Sequence, residues 1–235
     1  MAKVFEQWTV LPHEPIVEHQ DNFWTVRGTM PQPKVKRVMS IARLQDGRLV
    51  VHNAVALDEP EMKKLEAWGT PAFLIVPGGF HRQDAKIWKL RYPQMKVLCP
   101  EGAKKNVGAV VAPEGTYEDL PADPRVKLAT FAGMKKGEGY LSVQAPNGDT
   151  TIVVNDAICN MPKASPLSFT GLFMAPTGVA SVPRVMRMML MNDKRAFRAQ
   201  LEALAADATL KRVVLAHGAW LERPATELRE IAARL

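Results

Sequence analysis

Four side chains stand where their chemistry could matter. They are His81 and Asp84 in VPGGFHRQDAKIW, Asp156 at the end of TTIVVND, and His217 in RVVLAHG. Each follows an apolar run of the kind that forms a buried strand. Imidazole and carboxylate are donors that zinc, iron and manganese accept. His81 and Asp84 lie three apart, so a helix beginning near His81 would put both on one face, aimed at one ion. Gly78 and Gly79 would let the backbone pass close to a bound group. Each residue also has an ordinary alternative. A histidine after a strand often makes a structural hydrogen bond, and an aspartate in the place of Asp156 can cap the next turn. One carboxylate, Asp84 or Asp156, could serve as a proton acceptor instead of a ligand.

The elements that must position these groups are legible as patterns. FWTVRGT (23–29) and VKRVMSIARL (35–44) are rich in β-branched and apolar residues and predict strands. Asp46-Gly47 predicts a tight hairpin into GRLVVH (47–52). A helix follows, with Asp58 as cap, Glu61 as capping-box partner and Gly69 as stop. AFLIV (72–76) and MKVLC (95–99) predict buried strands flanking a helix in DAKIWKLRY. Asn147-Gly148 predicts a hairpin between YLSVQA and TTIVVND. PRVMRMMLMNDKRAFRAQLEALAAD reads as one helix, and a capped helix near ATELREIAARL closes the chain. Polar residues gather at the ends of the buried strands, where α/β folds place their sites.

The 235 residues are 47% hydrophobic and 23% charged, a soluble globular composition that suits a single domain over 1–235. No apolar run is long enough for a membrane helix, and MAKVFEQWTV does not read as a secretory signal. Cys99 and Cys159 sit in apolar runs and read as buried free thiols, so the expectation is a cytoplasmic protein. The net charge of +7 is spread over small groups such as Lys34/Lys36/Arg37 and Lys135/Lys136, without a nucleic-acid motif. The charge remains compatible with an anionic small-molecule substrate or ligand. VPGGF lacks the spacing of a phosphate loop, no serine sits in a GxSxG elbow, and neither cysteine has an evident activating partner. His52, Asn53 and Asp58 follow the third strand; His52 could line the site or be a structural hydrogen-bonding residue. His13 and His19 read as surface residues.

From about Asn22 to Leu235 the chain resembles the metallo-β-lactamase fold superfamily, and within it the group labelled as a domain of unknown function, DUF4336. The resemblance rests on NFWTVRG, RVMSIARLQDGRLVVHNAVALDE, FLIVPGGFHRQDAKIWKLRYPQMKVLCPEG, TTIVVNDAICNMP and RVVLAHG. It implies an α/β fold, a four-layer αββα sandwich with metals at one edge between two sheets. Metal-binding members carry HxHxDH after a buried strand. Laid on this sequence, that motif falls on Gly79, His81, Gln83 and Asp84, so only its second histidine is kept. A later histidine ligand has no counterpart, because no histidine lies between His81 and His217. The bridging aspartate matches Asp156 and the final histidine matches His217.

The motif is therefore degenerate. His81, Asp84, Asp156 and His217 are enough donors for one Zn, Fe or Mn ion, with water completing the shell, and too few for two. Two readings follow. One is a mononuclear metal-dependent hydrolase of unspecified substrate. The other is a small-ligand-binding or interaction protein on the same scaffold, with no metal. Under either, the four residues should converge in space. The stretch 162–191 combines exposed-type apolar residues with glycines and prolines, which suits a lid or a homodimer contact as well as a loop folded onto its own core.

Overall fold

The structure, a computed structural model, describes residues 4–30, 36–135 and 137–235. Val35 (the expected start of the second strand), Lys34, Lys136 and the first three residues of the N-terminal segment lie outside the described residues. One sheet contains β1 (Val17–Gln20), β2 (Phe23–Thr29), β3 (Lys36–Arg43), β4 (Arg48–His52), β5 (Thr70–Ile75) and β6 (Lys96–Leu98), side by side in chain order. The first four are antiparallel, whereas β4, β5 and β6 run parallel. Parallel neighbours need a crossover. These are supplied by α1 (Glu59–Trp68) and α2 (Ala85–Arg91). A short helix, α3 (Lys104–Gly108), follows β6.

The second sheet has the order β10-β9-β8-β7, from β7 (Val126–Thr130), β8 (Gly139–Gln144), β9 (Thr150–Val154) and β10 (Leu210–Leu215). Gly148, at φ 91°, makes the expected turn between β8 and β9. The parallel crossover from β9 to β10 carries α4 (Phe169–Phe173), α5 (Arg184–Leu190) and α6 (Lys194–Ala206), and α7 (Pro224–Ala233) ends the chain.

Strand alternation divides the apolar side chains between two directions. Phe73 and Ile75 of β5, Val50 of β4 and Leu98 of β6 pack against Leu141, Val143, Val153 and Val214 of the second sheet. Leu74, Val51 and Val97 face the other way, onto Met62, Leu65 and Trp88 of the helices. In the second sheet, Ile152, Val154 and Leu215 meet Phe197 and Leu201 of α6 and Leu228 and Ile231 of α7. The result is the expected four-layer αββα sandwich, with each sheet covered on both faces. Among the described residues, no helix is long and apolar enough to cross a membrane.

Three local expectations need correction. The long helix after Pro183 is two: Met191 is extended and bridges Met134, and Asp193 caps α6 by accepting from the Arg195 and Ala196 N–H groups. Asp58 caps α1 as expected, but Glu61 does not complete a capping box, because its carboxylate accepts the Ile16 N–H at 2.8 Å. The helix after Gly79 begins only at Ala85, so His81 lies in the preceding turn and does not share a helical face with Asp84.

Candidate metal centre

The site forms where three strands end along the same edge of the sandwich. Leaving β5, the chain passes through Val76-Pro77-Gly78-Gly79 to His81; leaving β9 it reaches Asp156, and leaving β10 it reaches His217. Val38 N–H donates to the Ala216 carbonyl at 3.1 Å and ties β3 of the first sheet to the second just beside His217. Gly79 is required by crowding, since a Cβ there would lie 2.8 Å from the Asn106 side chain. Gly218, at φ 86°, lets the chain turn against the Asn160 carbonyl; a Cβ would sit 1.9 Å from that oxygen.

His81, Asp156 and His217 converge. Each offers a ligand atom within 4.8 Å of the other two. His81 Nε2 lies 3.0 Å from Asp156 Oδ2, and His217 Nε2 lies 3.7 Å from Asp156 Oδ1. The two imidazole centroids are 5.2 Å apart. All three side chains are nearly buried, the most open being His217 at 12%.

Hydrogen bonds on the far side of each ring fix which nitrogen carries the proton. Asn53 Nδ2 donates to the Val38 carbonyl at 2.9 Å, so its Oδ1 is the atom that faces His81 Nδ1, 3.1 Å away. An acceptor opposite requires Nδ1 of His81 to be the N–H. His217 Nδ1 likewise donates to the Lys36 carbonyl at 3.2 Å. In the neutral state both Nε2 atoms therefore present lone pairs to the carboxylate of Asp156, which has only lone pairs to offer in return. Such an arrangement needs a proton or a cation among the three groups. Burial pushes the Asp156 carboxyl up, but the neighbouring His81 and His217 together bring it below the ordinary aspartate range. Burial, reinforced by His81, holds His217 below the usual histidine range and so favours its neutral form. A carboxylate and imidazole lone pairs aimed at one point suit a divalent ion, with the outer hydrogen bonds orienting each ring.

Asp84 does not join the group. Its Oδ2 is bonded to Arg37 Nη2, and its Oδ1 accepts the Ala56 N–H at 3.0 Å. Both partners of this ion pair are buried, at 3% and 1% exposure. Burial pushes the Asp84 carboxyl up, while the Arg37 charge and the two hydrogen bonds pull against that shift. The expectation that Asp84 is a ligand or proton acceptor is corrected for this reason: both oxygens are already engaged, and the guanidinium neutralises the charge. Gln83, in the acidic position of the family motif, is buried as well.

Asn53 and Glu138 escaped sequence reasoning as site residues. Asn53, at φ 58°, is the residue that locks the His81 tautomer, and asparagine's tolerance of the left-handed region was the available signal. Glu138 is buried beside Asp156, and burial together with that like charge pushes its carboxyl well above the ordinary glutamate range. Nothing in GEGY marks it out. His52 is fully buried at the end of β4, with neither ring nitrogen hydrogen-bonded to any described residue; burial lowers its pKa to about 3.

No family model matches the chain. No curated protein matches its sequence. Similar folds occur among solved structures. A metallo-β-lactamase from Pontibacter korlensis superposes with a TM-score of 0.60 at 12% identity, over 95% of this chain and all of the other. TMB-1 matches with the same score and identity, over 95% of this chain and 99% of its own. The DIM-1 metallo-β-lactamase, in a structure exposed to ceftazidime, matches with a TM-score of 0.60 at 10% identity, over 96% and 99% of the two chains. At such identities the likeness concerns architecture: the chain has the metallo-β-lactamase fold.

Proposed function

We propose that the protein is a mononuclear metal-dependent hydrolase in which His81, Asp156 and His217 hold one Zn, Fe or Mn ion. The reading is supported most by the two Nε2 lone pairs that Asn53 and the Lys36 carbonyl turn towards Asp156. Two nitrogens and one carboxylate with a position left open is the donor pattern of catalytic zinc sites, whereas structural sites close all four positions. The degenerate motif fits one ion better than two, since Asp84 is withdrawn by Arg37 and Gln83 carries no charge. A bound divalent ion supplies Lewis acidity and lowers the pKa of water towards neutrality.

The chain's own residues provide the rest. Asn53 and the Lys36 carbonyl orient the rings, and burial keeps His217 neutral and able to donate its lone pair. Asp156 Oδ1, the less engaged of its two oxygens, is the base available for a proton. Burial and the Asp156 charge push the carboxyl of the neighbouring Glu138 well above the ordinary glutamate range, which favours its protonated form. The resemblance to DUF4336 supports the same scaffold without indicating a substrate, and the buried free thiols of Cys99 and Cys159 agree with a cytoplasmic setting.

The test is turnover of nitrophenyl carboxylate esters and phosphodiesters by chelator-stripped protein, before and after loading with zinc, iron or manganese. Asp156→Asn should lower any metal-dependent rate by about 100-fold or more. Turnover indifferent both to chelation and to Asp156→Asn would overturn the reading.

A further inference from the structure

A cavity of about 580 Å³ opens beside the three-donor group. Ala216 and Gly218, which flank His217, form part of its wall, and so does Lys36, whose carbonyl holds the His217 ring. Its volume lies within the roughly 300–1,000 Å³ of small-molecule sites. Another cavity, about 520 Å³, borders Glu118, Asp123 and Lys127 and includes no residue of the donor group.

The chemistry of the wall is asymmetric. Arg27, Lys36 and Lys163 contribute three cations, and among the described residues no carboxylate lines the cavity. The Arg27 guanidinium is positioned over the Trp220 ring, 5.1 Å from its centroid. Lys163 is exposed, but its backbone is packed against Gly178, where a Cβ would lie 3.2 Å from Lys163 Cβ. The Met161 carbonyl accepts the Gly178 N–H at 2.7 Å, and Ala164 N–H donates to Thr177 Oγ1 at 3.2 Å. Lys36 also pairs with Glu14 at 2.7 Å, an exposed contact that competes weakly for its charge. The remaining wall is mainly apolar, with Val38, Met161, Pro162 and Ala164. At the rim, α4 supplies Thr170, and the adjacent Phe169 is 76% exposed.

We propose that this cavity is the substrate site and selects an amphipathic anion. A carboxylate or phosphate head group is held by Arg27, Lys36 and Lys163, and an apolar body lies along Val38, Met161 and the rim at α4. The residues on either side of His217 belong to the cavity wall, so a ligand held there lies next to the donor group. The assignment of a substrate rests on the hydrolase reading above; the capture of the anion does not.

Calorimetric titration of the full chain with octanoate, octyl phosphate and octanol separates these claims. Saturable one-to-one binding of an anion is expected, with octanol weaker by about tenfold or more, the scale of one charge-assisted contact. Comparison of octanoate with octyl phosphate identifies the preferred head group. Arg27→Met and Lys163→Met should each weaken binding of the anion several-fold, and Lys163→Arg should restore it; Lys163 is exposed, so its variants test the claim without threatening the fold. Chelator-stripped protein should bind octanoate as the untreated protein does, even if hydrolysis proves absent. Equal affinity for octanol and both anions, or octanoate binding indifferent to Arg27→Met and Lys163→Met, would overturn the proposal. So would loss of octanoate binding in the chelator-stripped protein, because the anion would then be captured at a metal on the donor group and not at the basic wall.

Discussion

At the scale of single residues, the site is defined as much by hydrogen bonds behind the histidines as by the histidines themselves. Asp84 shows the converse, a carboxylate of suitable type whose oxygens are engaged by Arg37 and Ala56. Asp84→Asn should leave metal content unchanged and cost about 3–5 kcal/mol of stability, because a buried guanidinium loses its counter-charge. Denaturant unfolding alongside metal analysis checks this; a loss of metal without a loss of stability would return Asp84 to the site. His52 supplies a prediction about acid. Its imidazole titrates near 6.5 when unfolded and at about 3 when folded, so unfolding takes up a proton between those values. The contribution is fully present above pH 6.5 and is lost as pH falls towards 3. His19, lowered to about 4 mainly by burial, adds to the same limb. His52→Gln should flatten the decline in stability by up to about 1.4 kcal/mol per pH unit in that window. Acid limbs of equal slope in the two proteins would contradict it.

Residue types after apolar runs singled out His81, Asp156 and His217, which the fold brings together, because a buried strand delivers its next polar residue to the sheet edge. The same rule misassigned Asp84. Its partner is 47 residues away in sequence, and no local pattern records a buried ion pair of that span. Asn53 and Glu138 were missed for the same reason, since their roles arise only when separate segments meet.

At the scale of elements, continuous apolar runs were reliable guides to β5, β6, β9 and β10, and Asn147-Gly148 marked its hairpin. The helix reading failed where polar punctuation lay within an apolar pattern: Asn192-Asp193 stops α5 and caps α6. In the stretch 162–191, the structure leaves Leu167, Phe169 and Met188 at 96%, 76% and 77% exposure, so these side chains are not folded down onto their own core. The end of β10 shows how an element sets the position of a site residue. Gly218 holds a positive φ against the Asn160 carbonyl immediately after His217. Gly218→Ala should cost about 1–3 kcal/mol and weaken metal binding as well, since the turn that aims His217 cannot keep its path. Calorimetry and metal titration on the same variant check both; wild-type affinity in a destabilised protein would mean that the turn does not aim the ring.

At the scale of the whole molecule, two sheets share one core and each carries helices outside, so strand ends from both sheets meet along one edge. His81 comes from the first sheet, and Asp156 and His217 come from the second. A metal held by these three groups would therefore depend on the sandwich being closed, and a bound ion should stabilise the folded chain by mass action. Three converging donors would define one coordination sphere, and donors for a second ion are missing at Gly79 and Gln83, while Asp84 is engaged by Arg37. The most direct measurement is metal stoichiometry: zinc or manganese titrated into the chelator-stripped chain, followed by elemental analysis after desalting. One equivalent should be retained by the wild type and lost in His217→Ala and Asp156→Asn. Retention of two equivalents, no retention of either metal, or one equivalent that survives both substitutions would contradict the account.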